Sequence, residues 1–107
     1  MTERQQKVRE EIIKISGEFI AREANRNNLI TVTDANISPD LKQATIFISV
    51  FPTDNEEGAL AFLKRHRNDF RSFVKKRISF KVLPFVDFKI DYGEKNRQRI
   101  DTLSSEG

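Results

Sequence analysis

The octapeptide ATIFISVF, residues 44–51, constrains the fold more than any other stretch. It alternates strictly, with Ala44, Ile46, Ile48 and Val50 on one face and Thr45, Phe47, Ser49 and Phe51 on the other. A strand of this kind needs its aliphatic face covered. Just upstream, LITVTDANIS is rich in β-branched residues, and SPDLKQ between the two carries Pro-Asp turn chemistry, so the pair reads as an antiparallel hairpin. The first strand alternates imperfectly, because Ile30 and Val32 share a face that Asp34 and Asn36 then occupy. A bulge near Asp34 returns the apolar residues to one side.

Helical periodicity flanks the hairpin. Thr2 and Gln5 have capping-box spacing, and Val8, Ile12, Ile15 and Phe19 then recur as an apolar stripe, predicting a helix from about Glu3 to Ala24 that ends at the polar NRNN. After the second strand, PTDNEE offers caps at Thr53 or Asp54 and acidic residues for the first turn of a helix through Ala59, Leu60 and Leu63. Asn68-Asp69 predicts an interruption, with Asn68 left-handed and Asp69 capping a third helix from about Asp69 to Ile78. FKVLPFVDFKI is a last strand in which Pro84 marks an edge or a bulge. The order α-β-β-α-α-β gives an α+β fold. A chain of 107 residues holds one such domain, with roughly 60 to 70% of its unfolded surface buried. We place that domain at residues 1–103, with a short tail at 104–107.

Charge is distributed unevenly. Between Lys64 and Lys81 stand Lys64, Arg65, Arg67, Arg71, Lys75, Lys76, Arg77 and Lys81 against Asp69 alone, a window of +7 in a chain of +3, so the other 89 residues total −4. A solvated helical face usually interleaves Glu with Lys four residues apart. Uncompensated cations repel one another until a polyanion neutralises them. On a helical wheel Phe70, Phe73, Val74 and Ile78 share an arc of roughly 140°, with Arg71 and Lys75 together on its rim and Lys76 almost opposite. Arg77 falls inside the apolar arc, so near the helix end it must snorkel or bond the last carbonyls. Arg4, Lys7 and Arg9 begin the first helix, where the dipole disfavours cations, which suggests a second anionic contact; Glu10 and Glu11 follow at once. Lys95, Arg97 and Arg99 sit in EKNRQRIDTLSSEG, which reads as a short mobile helix or tail.

Other chemistries find little to use. The absence of cysteine removes disulfides, thiolate nucleophiles and Cys-based zinc sites. The only histidine, His66, lies among Arg and Lys; Asp54, Glu56 and Glu57 suit a helix's first turn; and Gly17, Gly58, Gly93 and Gly107 are too far apart for a phosphate loop. No catalytic residue, metal, cofactor or small-molecule substrate is therefore expected, and the chain does not read as an enzyme. No run of about 18 apolar residues spans a membrane. The opening MTERQQKVREEIIK lacks the apolar core of a signal peptide, so a cytoplasmic protein is expected.

The joint pattern resembles the ribosome-binding factor A family along essentially the whole chain. Ser38, Asp40, Leu41 and Ala44 match its Ser-x-Asp-Leu-x-x-Ala, and Arg71-Ser72 matches the Arg-Ser of its third helix. Pro84, Val86 and Phe88 match its Pro-x-apolar-x-Phe, followed by an Asp matched by Asp91, while Arg4, Lys7 and Val8 stand where its first helix opens with Arg-x-x-Arg-Val. Two departures appear. The family's Ala-x-Gly kink corresponds to His66, Arg67 and Asn68, and Asn25 to Asn28 replace an Asp-Pro after the first helix.

The resemblance implies a type II KH-like domain, with three helices on one face of a three-stranded sheet and a kinked helix pair. It further implies binding to small-subunit ribosomal RNA during late maturation, with support of growth in the cold. With no Trp, one Tyr and nine Phe mostly at core positions, base stacking has few platforms, so phosphate and shape recognition of folded RNA is expected. The candidate contacts are Lys64, Arg65, Arg67, Asn68, Arg71, Lys75, Lys76 and Lys81, with Arg4 and Lys7 from the first helix. Neutralising about six phosphates gives a slope of log affinity against log salt of roughly −4 to −5. The chain is expected to act as a monomer. The rival readings are an RNA-binding domain not tied to the ribosome and a protein-protein adaptor using the hairpin edge or Ile13 and Ile20.

Overall fold

The computed structural model describes residues 2–23, 29–77 and 83–93. In chain order these form α1 (Glu3–Glu23), β1 (Leu29–Ile37), β2 (Gln43–Phe51), a 3-10 turn (Thr53–Asn55), α2 (Glu56–Arg65), α3 (Arg67–Arg77) and β3 (Phe85–Ile90). Ala24, the NRNN breaker, Ile78, Lys81, the Phe80–Val82 part of the last strand and the segment from Glu94 onward, with Lys95, Arg97, Arg99 and the proposed tail, lie outside the described residues.

The capping box closes α1 as its sequence requires. The Thr2 backbone N–H donates to Gln5 Oε1 at 2.9 Å and the Gln5 backbone N–H donates to Thr2 Oγ1 at 3.1 Å, satisfying two N–H groups the helix leaves unpaired. Gln5 is itself buried, and its amide donates to the Ile37 carbonyl at 3.0 Å. The start of α1 is thereby fixed over the end of β1.

β1 and β2 pair antiparallel and β3 adds parallel to β2, in the order β1-β2-β3. The register shifts between Val32 and Asp34, where the bulge was expected. Thr33 is the extra residue, so Ile30, Val32, Ala35 and Ile37 oppose Val50, Ile48, Ile46 and Ala44 on the apolar face. Arg9 holds the bulge, donating to the Asp34 carboxylate and, at 3.0 Å, to the Ala35 carbonyl. The hairpin turn is closed by Ser38 and Asp40. Ser38 Oγ donates to Asp40 at 2.6 Å, the Lys42 backbone N–H donates to the same carboxylate at 3.0 Å, and the two bonds hold it below the usual aspartate range. Leu41 adopts φ 62°, a left-handed conformation for a residue whose side chain also packs on the core.

The three helices cover one face of the sheet. Ile12, Ile15, Phe19 and Ile20 of α1, Ala59 and Leu63 of α2 and Phe70 and Val74 of α3 are buried with Val86, Phe88 and Ile90 of β3. Phe70 is fully buried at the meeting point, edge-on to Phe19 at 5.3 Å and to Phe88 at 5.6 Å between centroids. Ile20 is buried and Ile13 packs against the core, so both widen the α1 core face instead of forming an adaptor surface.

Two local expectations are corrected. Neither Thr53 nor Asp54 caps α2; both lie in the 3-10 turn, and α2 follows Asn55 without a side-chain cap bond. Asn68 is not left-handed and Asp69 is not a cap, since both lie inside α3, which begins at Arg67. The turn between α2 and α3 is made at His66, whose φ −94° and ψ 17° redirect the chain without positive φ. His66 keeps helical bonding on both sides. Its backbone N–H donates to the Phe62 carbonyl at 3.1 Å and its carbonyl accepts from the Phe70 N–H at 2.9 Å. No glycine is required for such a turn.

Candidate nucleic-acid interface

The α3 helix carries its cations at two kinds of position. Arg67, Arg71 and Lys75 recur every four residues, and each step of four drifts about 40° around the helix. The row therefore runs from the rim of the core into water over roughly 12 Å. Arg67 has 27% of its side chain exposed, Arg71 is half-buried and Lys75 is exposed. Lys64 at the end of α2 extends the row by one turn. The row faces β3: Arg67 and Lys64 reach Asp87, and Arg71 donates to the Pro84 carbonyl at 3.1 Å.

Asp87 alters the charge count. Its Oδ1 accepts from Arg67 at 3.0 Å and lies 3.9 Å from Lys64 Nζ. Arg77 pairs with Glu18 at 3.6 Å, lies 3.5 Å over the Phe73 ring and bonds the Phe73 carbonyl at 3.5 Å. Arg77 thus does what its place in the apolar arc required, and is occupied. His66 Nδ1 lies 2.8 Å from Asp69, with its ring tilted on Phe62 at 4.3 Å between centroids. The expectation of a cluster without local anions is therefore corrected: carboxylates from α1 and β3 reach Arg77, Arg67 and Lys64. Among the described residues Arg65, Arg71, Lys75 and Lys76 have no carboxylate within 4.0 Å. Arg71 donates only to a neutral carbonyl and keeps its charge available.

The other candidates are not gathered into this row. Arg65 and Asn68 are exposed at the α2–α3 turn, and Lys76 points away from the apolar arc. Arg4 and Lys7 are exposed at the start of α1 over β1, with β2 between that edge and β3. Lys81 lies outside the described residues.

Among the described residues two Phe rings depart from the core assignment. Phe51 is 70% exposed and Phe85 54% exposed. Period-two alternation could have found Phe85, because Val86, Phe88 and Ile90 on the core face place Phe85, Asp87 and Lys89 on the other. Asp87's partners were beyond any sequence rule, being 20 residues or more away on different elements.

The family model described as ribosome-binding factor A matches residues 4–104. The chain belongs to the ribosome-binding factor A family. A relative of that name from Methylocella silvestris is 38% identical over 82 residues, 77% of this chain and 53% of the relative, so the chain spans about half the length of that curated relative. The crystal structure of ribosome-binding factor A from Thermus thermophilus superposes with a TM-score of 0.72 at 25% identity, covering 80% of this chain and 93% of that one. A homology model of the Thermus thermophilus ribosome-binding factor A, fitted into the cryo-EM map of a 30S complex, matches at TM-score 0.66 and 26% identity, covering 76% of this chain and 88% of the other. The α-β-β-α-α-β order and mixed three-stranded sheet are the KH-like fold of the ribosome-binding factor A structures.

Proposed function

We propose that this chain binds the small ribosomal subunit through folded ribosomal RNA and assists its late maturation. It acts as a monomeric binding factor in the cytoplasm, on pre-mature particles and in growth at low temperature, and not as an enzyme. Residues 1–103 serve as one KH-like RNA-binding domain, and Lys64, Arg67, Arg71 and Lys75 make the principal phosphate contacts. The observation that carries this is the cationic row facing β3 in a member of a ribosome-binding family. Arg65, Asn68 and Lys76 flank the row, Lys81 is a further contact on its charge alone, and Arg4 and Lys7 contribute a separate contact if RNA passes over β1.

The row sets the expected salt dependence. Four cations less the Asp87 charge leave three, so log affinity for small subunits should fall with log salt at a slope of roughly −2 to −3. This is shallower than the slope expected for six phosphates. Cosedimentation from low to physiological salt measures it, and salt-independent binding would sink the electrostatic reading. Asp87→Asn releases Arg67 and Lys64 and is expected to steepen the slope by about 0.7 to 0.9. An unchanged slope in that variant would mean that the Asp87 pairs already break when wild type binds RNA or that these cations touch no phosphate.

A further inference from the structure

Beside the basic row stands an aromatic ring whose position is fixed from several sides. Phe85 opens β3 on the helix-free face of the sheet, 54% exposed. Its backbone N–H donates to the Lys42 carbonyl at 2.8 Å, and the carbonyl just before it, that of Pro84, accepts from Arg71 at 3.1 Å. The Arg67 guanidinium lies over the ring at 5.0 Å from its centroid, and Asp87 holds that guanidinium in place. A planar cation thus sits over the ring, and the residue still keeps more than half its surface in solvent.

The chemistry around the ring discriminates between partners. A protein that buried Phe85 at the centre of an interface would have to desolvate Lys64 and Asp87 beside it, and lysine and aspartate are depleted from interface centres. An RNA strand answers both features at once. Its phosphates neutralise the cations, and an unpaired base supplies a flat apolar surface for the ring. In a duplex that surface is occupied by neighbouring bases.

We propose that Phe85, backed by Arg67, is a stacking seat for one unpaired RNA base, with Arg71 and Lys64 taking the flanking phosphates. This rests on the RNA-binding reading above and adds to it a preference for a single-stranded nucleotide, tolerant of base identity because every base has a π face. Phe85 therefore joins the phosphate contacts as a residue of the interface that distinguishes unpaired from paired RNA.

The test compares a blunt RNA hairpin with the same hairpin bearing a short 3′ single-stranded extension that carries 2-aminopurine. Wild type should bind the extended RNA more tightly and quench the 2-aminopurine. Phe85→Ala should weaken binding to the extended RNA by about five- to a hundredfold, abolish the quenching and leave the blunt hairpin unaffected. Phe85→Trp should retain both signals, and circular dichroism checks that each variant is folded. If Phe85→Ala binds both RNAs as wild type does, with salt dependence intact, the stacking seat is wrong and the RNA-binding reading stands. An equal loss on both RNAs likewise overturns the seat, since the ring would then act on the fold or on binding in general. If wild type binds neither RNA but cosediments with small subunits independently of salt, both proposals fail and a protein contact replaces them.

Discussion

Replacing Phe70 with alanine is expected to cost about 3–5 kcal/mol of folding stability, among the largest losses of any single truncation in this core. The ring joins three elements at once, touching Phe19 of α1 and Phe88 of β3 from its place on α3, and none of it reaches solvent. Its removal leaves a cavity that rigid strands and two other rings cannot fill. Small domains have only about 5–15 kcal/mol in total, so the melting temperature should drop by more than about 10 °C. Urea unfolding followed by circular dichroism measures this directly, with Phe70→Leu as a milder comparison if the alanine variant does not fold. A loss below about 1 kcal/mol would show that the helices dock without this ring.

The double reversal Arg71→Glu, Lys75→Glu is expected to weaken binding to small subunits by at least about a hundredfold. Each position loses a charge-assisted contact of about 1.5–3 kcal/mol and gains repulsion from the phosphate it met. Folding should be little affected, because Lys75 is exposed and Arg71 gives up one bond to the Pro84 carbonyl, about 1 kcal/mol. Lys76→Glu makes the same change of charge on the other side of α3 and should weaken binding far less. If the double variant cosediments as wild type does, or if Lys76→Glu is equally damaging, the row facing β3 is not the contact surface. A folded protein that loses RNA binding yet keeps a protein partner would favour the adaptor reading.

Asp87 and Asn68 show how local rules fail in opposite ways. The Asn68-Asp69 pair looked like an interruption because both residues favour helix breaks when considered alone. In the folded chain, burial of Phe70 and Val74 beneath the same segment outweighs that preference, and the turn moves back to His66, where hydrogen bonding continues through the junction. Asp87 was simply one polar residue in an alternating strand. Its effect on the cationic row arises because the parallel addition of β3 beside β2 brings it within reach of the long side chains at the end of α2 and the start of α3.

The sequence by itself determined whatever depends on neighbours along the chain. The Thr2–Gln5 box, the α1 stripe, the hairpin with its bulge before Asp34, the exposed side of β3 and the retreat of Arg77 onto its own helix all follow from spacing of four residues or fewer or from strand alternation. The family pattern added the fold. Only the tertiary structure decided which cations remain available and what stands beside them. Charge on a helix is counted locally, whereas its compensation acts through space, from Glu18 on α1 and Asp87 on β3. Linear charge therefore overstated the site by the cations those two carboxylates engage, and gave no sign of the ring at Phe85 that Arg67 covers.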